Sequence, residues 1–391
     1  MFSLRTSWAR QHNRLTQILD SRRAYNLPVH DLTNSNPTEC GIPYPGQEIR
    51  DALSGPEILQ HHPDPRGLIS ARTAIASEYQ KSGVRIDPQH LFLTASTSEA
   101  YSILFRLLCN PGDSILIPQP SYPLFDYLAQ INDVSLGHYR LRYDGEWRVD
   151  IDSIRNSISS ATRAIVIVHP HNPTGLLLHL KEYDQIKEIA HRHKIAVIVD
   201  EVFIEYHFDG RGNPMTSAMP GGDGLIFTLN GISKMLGLPQ LKLGWIVVGG
   251  EKKLVDEALG RIEIISDTFL SVNTPVQIAL PKLFSVGLST QKLLLDLVRS
   301  NYSLLQQCIG PGSPVSLLNT VSGWYAILRV PRTKIDEVWS IELLEKRGIL
   351  IYPGYYFDFE EEGFLVISLL VESEIFHRAG AECIEYIQTH A

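Results

Sequence analysis

From about residue 90 the chain alternates between short apolar runs and longer stretches with helical spacing. In "HLFLTAS", "SILIPQPSYP", "RAIVIVHPHNPTG", "KIAVIVDEVF" and "LIFTLNGISK" a short apolar run is followed by polar or turn-forming residues. Between them stand segments such as "YSILFRLLCNPGD", stopped by Pro111 and Gly112, and "LKEYDQIKEIAHRHK". Apolar runs separated by helices predict parallel strands buried on both faces of a doubly wound α/β sheet. "GWIVVGG" adds one more strand. After about residue 285 the pattern changes, and helical text over 292–308 leads into "SGWYAILRV", "IELLEKRGILIYPG" and "FLVISLL". The pattern predicts a large domain over 46–285 and a smaller α+β domain made of 286–391 together with 1–45. In residues 1–19, which are basic and lack acids, Leu4, Trp8, Leu15 and Ile18 fall broadly on one side of an amphipathic helix; the same composition fits a transit peptide.

Polar residues cluster just past the apolar runs: Ser96, Thr97 and Ser98; Tyr122; Asn172; Asp200; Ser233 and Lys234. Ligands of open α/β sheets bind outside the carboxyl ends of the strands, so these residues can converge on one pocket. Asp200 closes a buried strand, where a carboxylate is costly unless paired. Suppose Lys234 forms an imine with an aldehyde cofactor. Asp200 then keeps the cofactor's pyridine nitrogen protonated, and the Asn172 amide donates to its phenolic oxygen. "STS" at a helix start holds a phosphate, Ser233 and Lys242 add a hydroxyl and a positive charge, and Tyr122 stacks on the ring. Gly237 and Gly244 are expected to let the backbone approach the cofactor. Taken singly, each feature has a duller explanation: a cap or ion-pair partner for Asp200, a turn for "NPTG", an N-cap for "STS", core for Tyr122, a solvated lysine for Lys234. What favours the chemistry is their succession, each at the same end of its own strand.

Composition narrows the alternatives. The chain has 391 residues, 44% hydrophobic and 20% charged, which is globular and long enough for two domains. A net charge of −8 argues against a nucleic-acid binder. Cys40, Cys109, Cys308 and Cys383 form no CxxC pair, which fits a reducing, cytoplasmic setting rather than a zinc ribbon or a disulfide framework. No apolar run is long enough to cross a bilayer. Neither a G-x-G-x-x-G turn after the first strand nor a G-x-S-x-G elbow is present, and the "HPH" and "HRH" histidines have no zinc-helix spacing.

Through "HPHNPTG", "VDEVF" and "SKMLGLPQLKLGW", supported by "PDPRGLISAR", "NPGDSILIPQPSYP" and "YPGYYF", the chain resembles the fold-type I pyridoxal-phosphate enzymes. Within them it resembles the class I/II aminotransferases, from roughly residue 30 to the C-terminus. The resemblance implies a mostly parallel, seven-stranded-type sheet and a homodimer with sites at the subunit interface. It implies ping-pong transfer of an amino group between an unidentified amine or amino acid and a carbonyl acceptor. Lys234 is then the Schiff-base lysine and proton shuttle; Asp200, Asn172, Tyr122, Ser96, Thr97, Ser98, Ser233 and Lys242 bind pyridoxal 5'-phosphate; Asn36 and Arg66 are candidates for substrate contact. A lyase or decarboxylase on the same scaffold, and a non-catalytic cofactor-binding regulator, are the competing readings.

Four positions depart from the family pattern. Lys242 replaces an arginine and loses its two-pronged grip on phosphate. Phe203 replaces a tyrosine, removing a donor to the ring oxygen and raising the imine's proton affinity. His62 replaces a tyrosine that reaches the neighbouring subunit's phosphate, and its imidazole is expected to do the same work as a cofactor-binding group. Val366 replaces the late-strand arginine that holds a substrate α-carboxylate, so either the clamp has moved to another residue, with Arg66 a candidate, or the substrate amine lacks an α-carboxylate, or catalysis is altered.

Overall fold

A computed structural model describes residues 1–8, 11–208, 216–218 and 221–391. The apolar runs form an eight-stranded sheet: β1 (Leu91–Thr94), β2 (Ser114–Gln119), β3 (Ser135–Tyr143), β4 (Trp147–Val149), β5 (Thr162–Val168), β6 (Ala196–Asp200), β7 (Leu225–Gly231) and β8 (Gly244–Gly250). Their spatial order is β1-β8-β7-β6-β5-β2-β3-β4. The central strands β3, β2, β5, β6 and β7 pair in parallel. Successive residues of β6 feed two cores: Val197 and Val199 pack on one face, Ala196 and Ile198 on the other. That two-sided burial explains the unbroken apolar runs.

Two strands refine the sequence expectation. "GWIVVGG" is β8, and it runs antiparallel to both β7 and β1. The chain leaves β7 at Gly231, turns through Ile232–Met235 and Pro239–Leu241, and re-enters the sheet at the same end, opposite Gly231 at Gly244. Strand β4 is the eighth, beyond the seven expected. It folds back on β3 through a turn in which Gly145 adopts φ +75°.

The later part of the chain builds a four-stranded antiparallel sheet from β9 (Ser316–Leu317), β10 (Tyr325–Arg329), β11 (Tyr352–Pro353) and β12 (Phe364–Ser368). The N-terminal segment packs with this part of the chain: His30–Asp31 and Ile349–Leu350 form a separate two-stranded parallel sheet, and Leu15 and Ile18 pack on Leu344 and Leu350. The expected boundary at 285/286 falls inside one continuous helix, Thr274–Cys308, whose start is capped by the Asn273 side chain.

The single amphipathic helix expected near the N-terminus is not formed. Leu4–Thr6 is one 3₁₀ turn, and helix begins only at Arg14, where the Asn13 side-chain oxygen accepts from the Thr16 N–H at 2.9 Å. Leu15 and Ile18 are buried and Leu4 is exposed. Trp8 packs edge-on against Tyr127 instead. Among the described residues no helix is long and apolar enough to cross a membrane.

Candidate active site

Strand register sets the depth of the site. Val168 pairs with Asp200 and Asp200 with Leu229, so β5 and β6 end level and β7 runs two residues further, to Gly231. Just beyond these ends lies a cavity of about 330 Å³, within the usual range for small-molecule sites. Ser96, Thr97, Ser98, Tyr122, Asn172, Asp200, Ser233, Lys234 and Lys242 all line it. Every cofactor residue expected from the sequence except His62 is therefore brought together.

Asp200 is the acid of this cavity, and it is 7% exposed. Burial pushes its carboxyl up to about 6, against the pull of the Val202 N–H, the Tyr101 hydroxyl and the Lys234 charge. The Val202 N–H donates to Oδ1 at 3.1 Å, and the Tyr101 O–H donates to Oδ2 at 3.0 Å. Burial acts on Lys234 in the opposite sense, bringing its ammonium down to about 8; Asp200 raises it and Lys242 lowers it further. The Lys234 Nζ sits 5.0 Å above the Trp324 ring centroid, and its carbonyl accepts the Tyr206 O–H at 2.7 Å. One acid raised and one base lowered in one cavity is the pattern that proton-transfer sites require.

The helix Thr97–Leu108 opens at the cavity, presenting N–H groups without intrahelical acceptors. The Ser96 hydroxyl caps this helix by accepting from the Glu99 N–H at 3.1 Å. Lys242 is exposed and holds a left-handed backbone, φ +54°, which non-glycine residues rarely adopt outside special sites. Gly231 and Gly244 serve chain packing at this end of the sheet. A Cβ on Gly231 would stand 2.9 Å from the Gly244 Cα, and one on Gly244 would meet the Asn230 carbonyl at 3.1 Å and Thr94 Oγ1 at 3.2 Å. Gly237 corrects the sequence expectation: it does not line the cavity. Its φ is +65°, and a Cβ there would stand 2.7 Å from the Leu294 side chain, so it serves helix packing.

Three expected residues lie elsewhere. His62 is exposed in a separate, shallow cleft, its Nε2 3.1 Å from Gln60 Oε1. Arg66 is held by Glu263 at 2.6 Å and by the Gln89 carbonyl at 2.7 Å, so within this chain it is not a carboxylate clamp of the cavity. Asn36 uses its side-chain oxygen to accept from the Thr38 N–H and hydroxyl. Val366 is fully buried in β12. Among the described lining residues, Lys234 and Lys242 are the only cations.

The sequence reading missed Tyr101, Ser35 and Tyr325 in the cavity wall. Tyr101 had a signal: it follows Thr97 by four positions and so shares its helix face. Ser35 and Tyr325 arrive from the N-terminal segment and from β10, which no local pattern connects.

A family model for aminotransferase class I and II matches residues 44–379. The glutamate-pyruvate aminotransferase AlaA of Haemophilus influenzae is 26% identical over 350 residues, covering 86% of this chain and 85% of that protein. The alanine aminotransferase of Mycobacterium tuberculosis is 25% identical over 356 residues, covering 89% and 77%. The fold matches that of an alanine aminotransferase from Pyrococcus furiosus with a TM-score of 0.89 at 24% identity, each chain covered over 100% of its length.

Proposed function

Because this chain belongs to the class I and II aminotransferase family, and so is a pyridoxal-phosphate-dependent enzyme, we propose that Lys234, Asp200 and Asn172 are the groups with which it uses that cofactor. The residues present fit such a group. Asn172 lines the cavity with a buried amide whose oxygen has no hydrogen-bond partner among the described residues, and a half-turn of that amide exchanges the oxygen for the NH2 donor that a phenolic oxygen requires. A basic amine, an acid and a helix N-terminus with unpaired N–H groups share the cavity. When bound, pyridoxal phosphate supplies an aldehyde that carries the amino group and a pyridine ring that accepts electron density. Lys234 provides the amine that holds the aldehyde, and an Nζ brought down to about 8 can take up and return a proton near neutral pH. Asp200 keeps the ring nitrogen protonated. Thr97, Ser98, Ser233 and Lys242 hold the phosphate, and Tyr122 covers the ring. The observation that carries this assignment is the convergence of Asn172, Asp200 and Lys234 on one cavity beyond the carboxyl ends of β5, β6 and β7, with Asp200 and Lys234 shifted in opposite senses there.

The reaction is ping-pong amino transfer between an amine or amino acid and a carbonyl acceptor. Two relatives are named for alanine and for glutamate–pyruvate transfer. In this chain Val366 removes the late-strand cation, so recognition of the donor cannot depend on an arginine there. Single-turnover absorbance of the purified enzyme decides the donor class, with α-amino acids in one arm and carboxylate-free amines in the other. Conversion of the cofactor to its amine form, reversed by a keto acid or aldehyde, is the expected result. Ammonia or carbon dioxide released without an acceptor would replace amino transfer by elimination or decarboxylation. The same proposal includes a cytoplasmic location, in keeping with four unpaired cysteines.

A further inference from the structure

Tyr101 has a role that the chemistry above leaves unassigned. It lies one turn into the helix Thr97–Leu108 and is 4% exposed. Phe125 meets its ring edge-on at 5.1 Å, and Phe105 packs at 6.0 Å, so its direction is fixed. A leucine or phenylalanine would satisfy that apolar slot. The hydroxyl is costly to bury unless it is used, and its partner is Asp200 Oδ2 at 3.0 Å.

We propose that Tyr101 is a positioning residue: its hydroxyl and the Val202 N–H grip the two oxygens of Asp200 and fix the orientation in which the carboxylate meets the cofactor's pyridine nitrogen. The proposal rests on the assignment of Asp200 made above. No other side chain donates a hydrogen bond to this carboxylate among the described residues. Lys234 acts on it through charge. Glu201, next in the chain, is occupied with Thr216 and Ser217. Tyr122 lines the same cavity and feels the Asp200 charge. Burial keeps the Tyr101 phenol protonated far above neutral pH, so it remains a donor throughout the working range.

A donor to the charged form lowers a carboxyl's proton affinity, and its removal raises it. The test follows binding of pyridoxamine phosphate, which needs no covalent link to Lys234, to the full chain between pH 5 and 8.5. Wild type, Tyr101→Phe and Asp200→Asn are compared, the last giving the baseline for the titration of the ligand itself. In Tyr101→Phe the Asp200-dependent midpoint is expected to rise by about one pH unit, with affinity about tenfold weaker at pH 7.5. Placing 3-fluorotyrosine at position 101 keeps the ring and strengthens the donor, so the midpoint should move down; this arm stands even where Tyr101→Phe folds poorly. Unchanged midpoints in both arms, with or without a lower melting temperature, overturn the proposal and leave Tyr101 a packing residue. Wild-type affinity and pH profile in Asp200→Asn overturn the Asp200 assignment instead.

Discussion

At the scale of single residues, the site holds charges that burial opposes. Asp200 has a folded pKa of about 6 against an ordinary 3.8, so the folded chain binds its proton more tightly than the unfolded chain does. Its contribution to stability is greatest below about pH 4 and is lost as pH rises through about 6. Asp200→Asn should therefore stabilise the cofactor-free chain at pH 7 by on the order of 2 kcal/mol while weakening cofactor binding, and the gain should fade toward pH 4. For Lys234 the sign is reversed. With its pKa lowered from 10.5 to about 8, its burial penalty is complete below pH 8 and is relieved as pH rises toward 10.5. Lys234→Met should also melt higher at pH 7, with the margin shrinking above pH 8. Calorimetry of the cofactor-free chain at pH 4, 7 and 9.5 checks both; equal melting temperatures at every pH would show that neither group is held against its preference. Phe203, packed edge-on against Trp324 and lining the cavity, offers no donor. Phe203→Tyr should lower the pH at which the bound cofactor's absorbance titrates.

At the scale of elements, the site depends on how closely β7 and β8 approach beyond Asn230. Gly231→Ala places a methyl group 2.9 Å from the Gly244 Cα and 3.0 Å from the Leu243 carbonyl, both of them backbone that cannot rotate away. The expected loss is about 1–3 kcal/mol in denaturant unfolding, together with weaker cofactor binding, because the chain from Ile232 to Leu243 carries both Lys234 and Lys242. A variant that unfolds like wild type would show that this approach is slack. The strands and the residues past their ends were legible in the sequence because two-sided burial writes itself as unbroken apolar text. "VIVD" announced both a strand and its terminal acid. The reversed direction of β8 was not legible, since strand text carries no direction and a turn through Pro239–Leu241 decides it. Leu4 and Trp8 misled because spaced apolar residues also occur where a cap at Asn13 delays the helix. The cavity wall from Ser35 and Tyr325 depends on contacts between distant segments, which periodicity does not encode.

At the scale of the molecule, we propose the division into a cofactor-binding part, 46–285, and a smaller part made of 1–45 with 286–391. The long helix Thr274–Cys308 runs through both. We also propose that the enzyme is a homodimer. Phe269 and Leu270 line the cleft that contains His62, and Leu59, Ile264 and Phe269 are all exposed. Apolar surface of this kind is a natural subunit contact, and it would carry His62 toward the second site. Sedimentation velocity should give a dimer, and Ile264→Glu combined with Phe269→Glu should shift it toward monomer and lower cofactor affinity. A wild-type monomer with full affinity at micromolar concentration would contradict both the dimer and the role given to His62.

The most direct measurement is peptide mass spectrometry of the enzyme supplied with pyridoxal phosphate and reduced with borohydride. The cofactor's mass is expected on Lys234, and on no other lysine, with labelling lost in Lys234→Ala. An unmodified Lys234, or label carried by Lys242 or a surface lysine instead, would contradict the account.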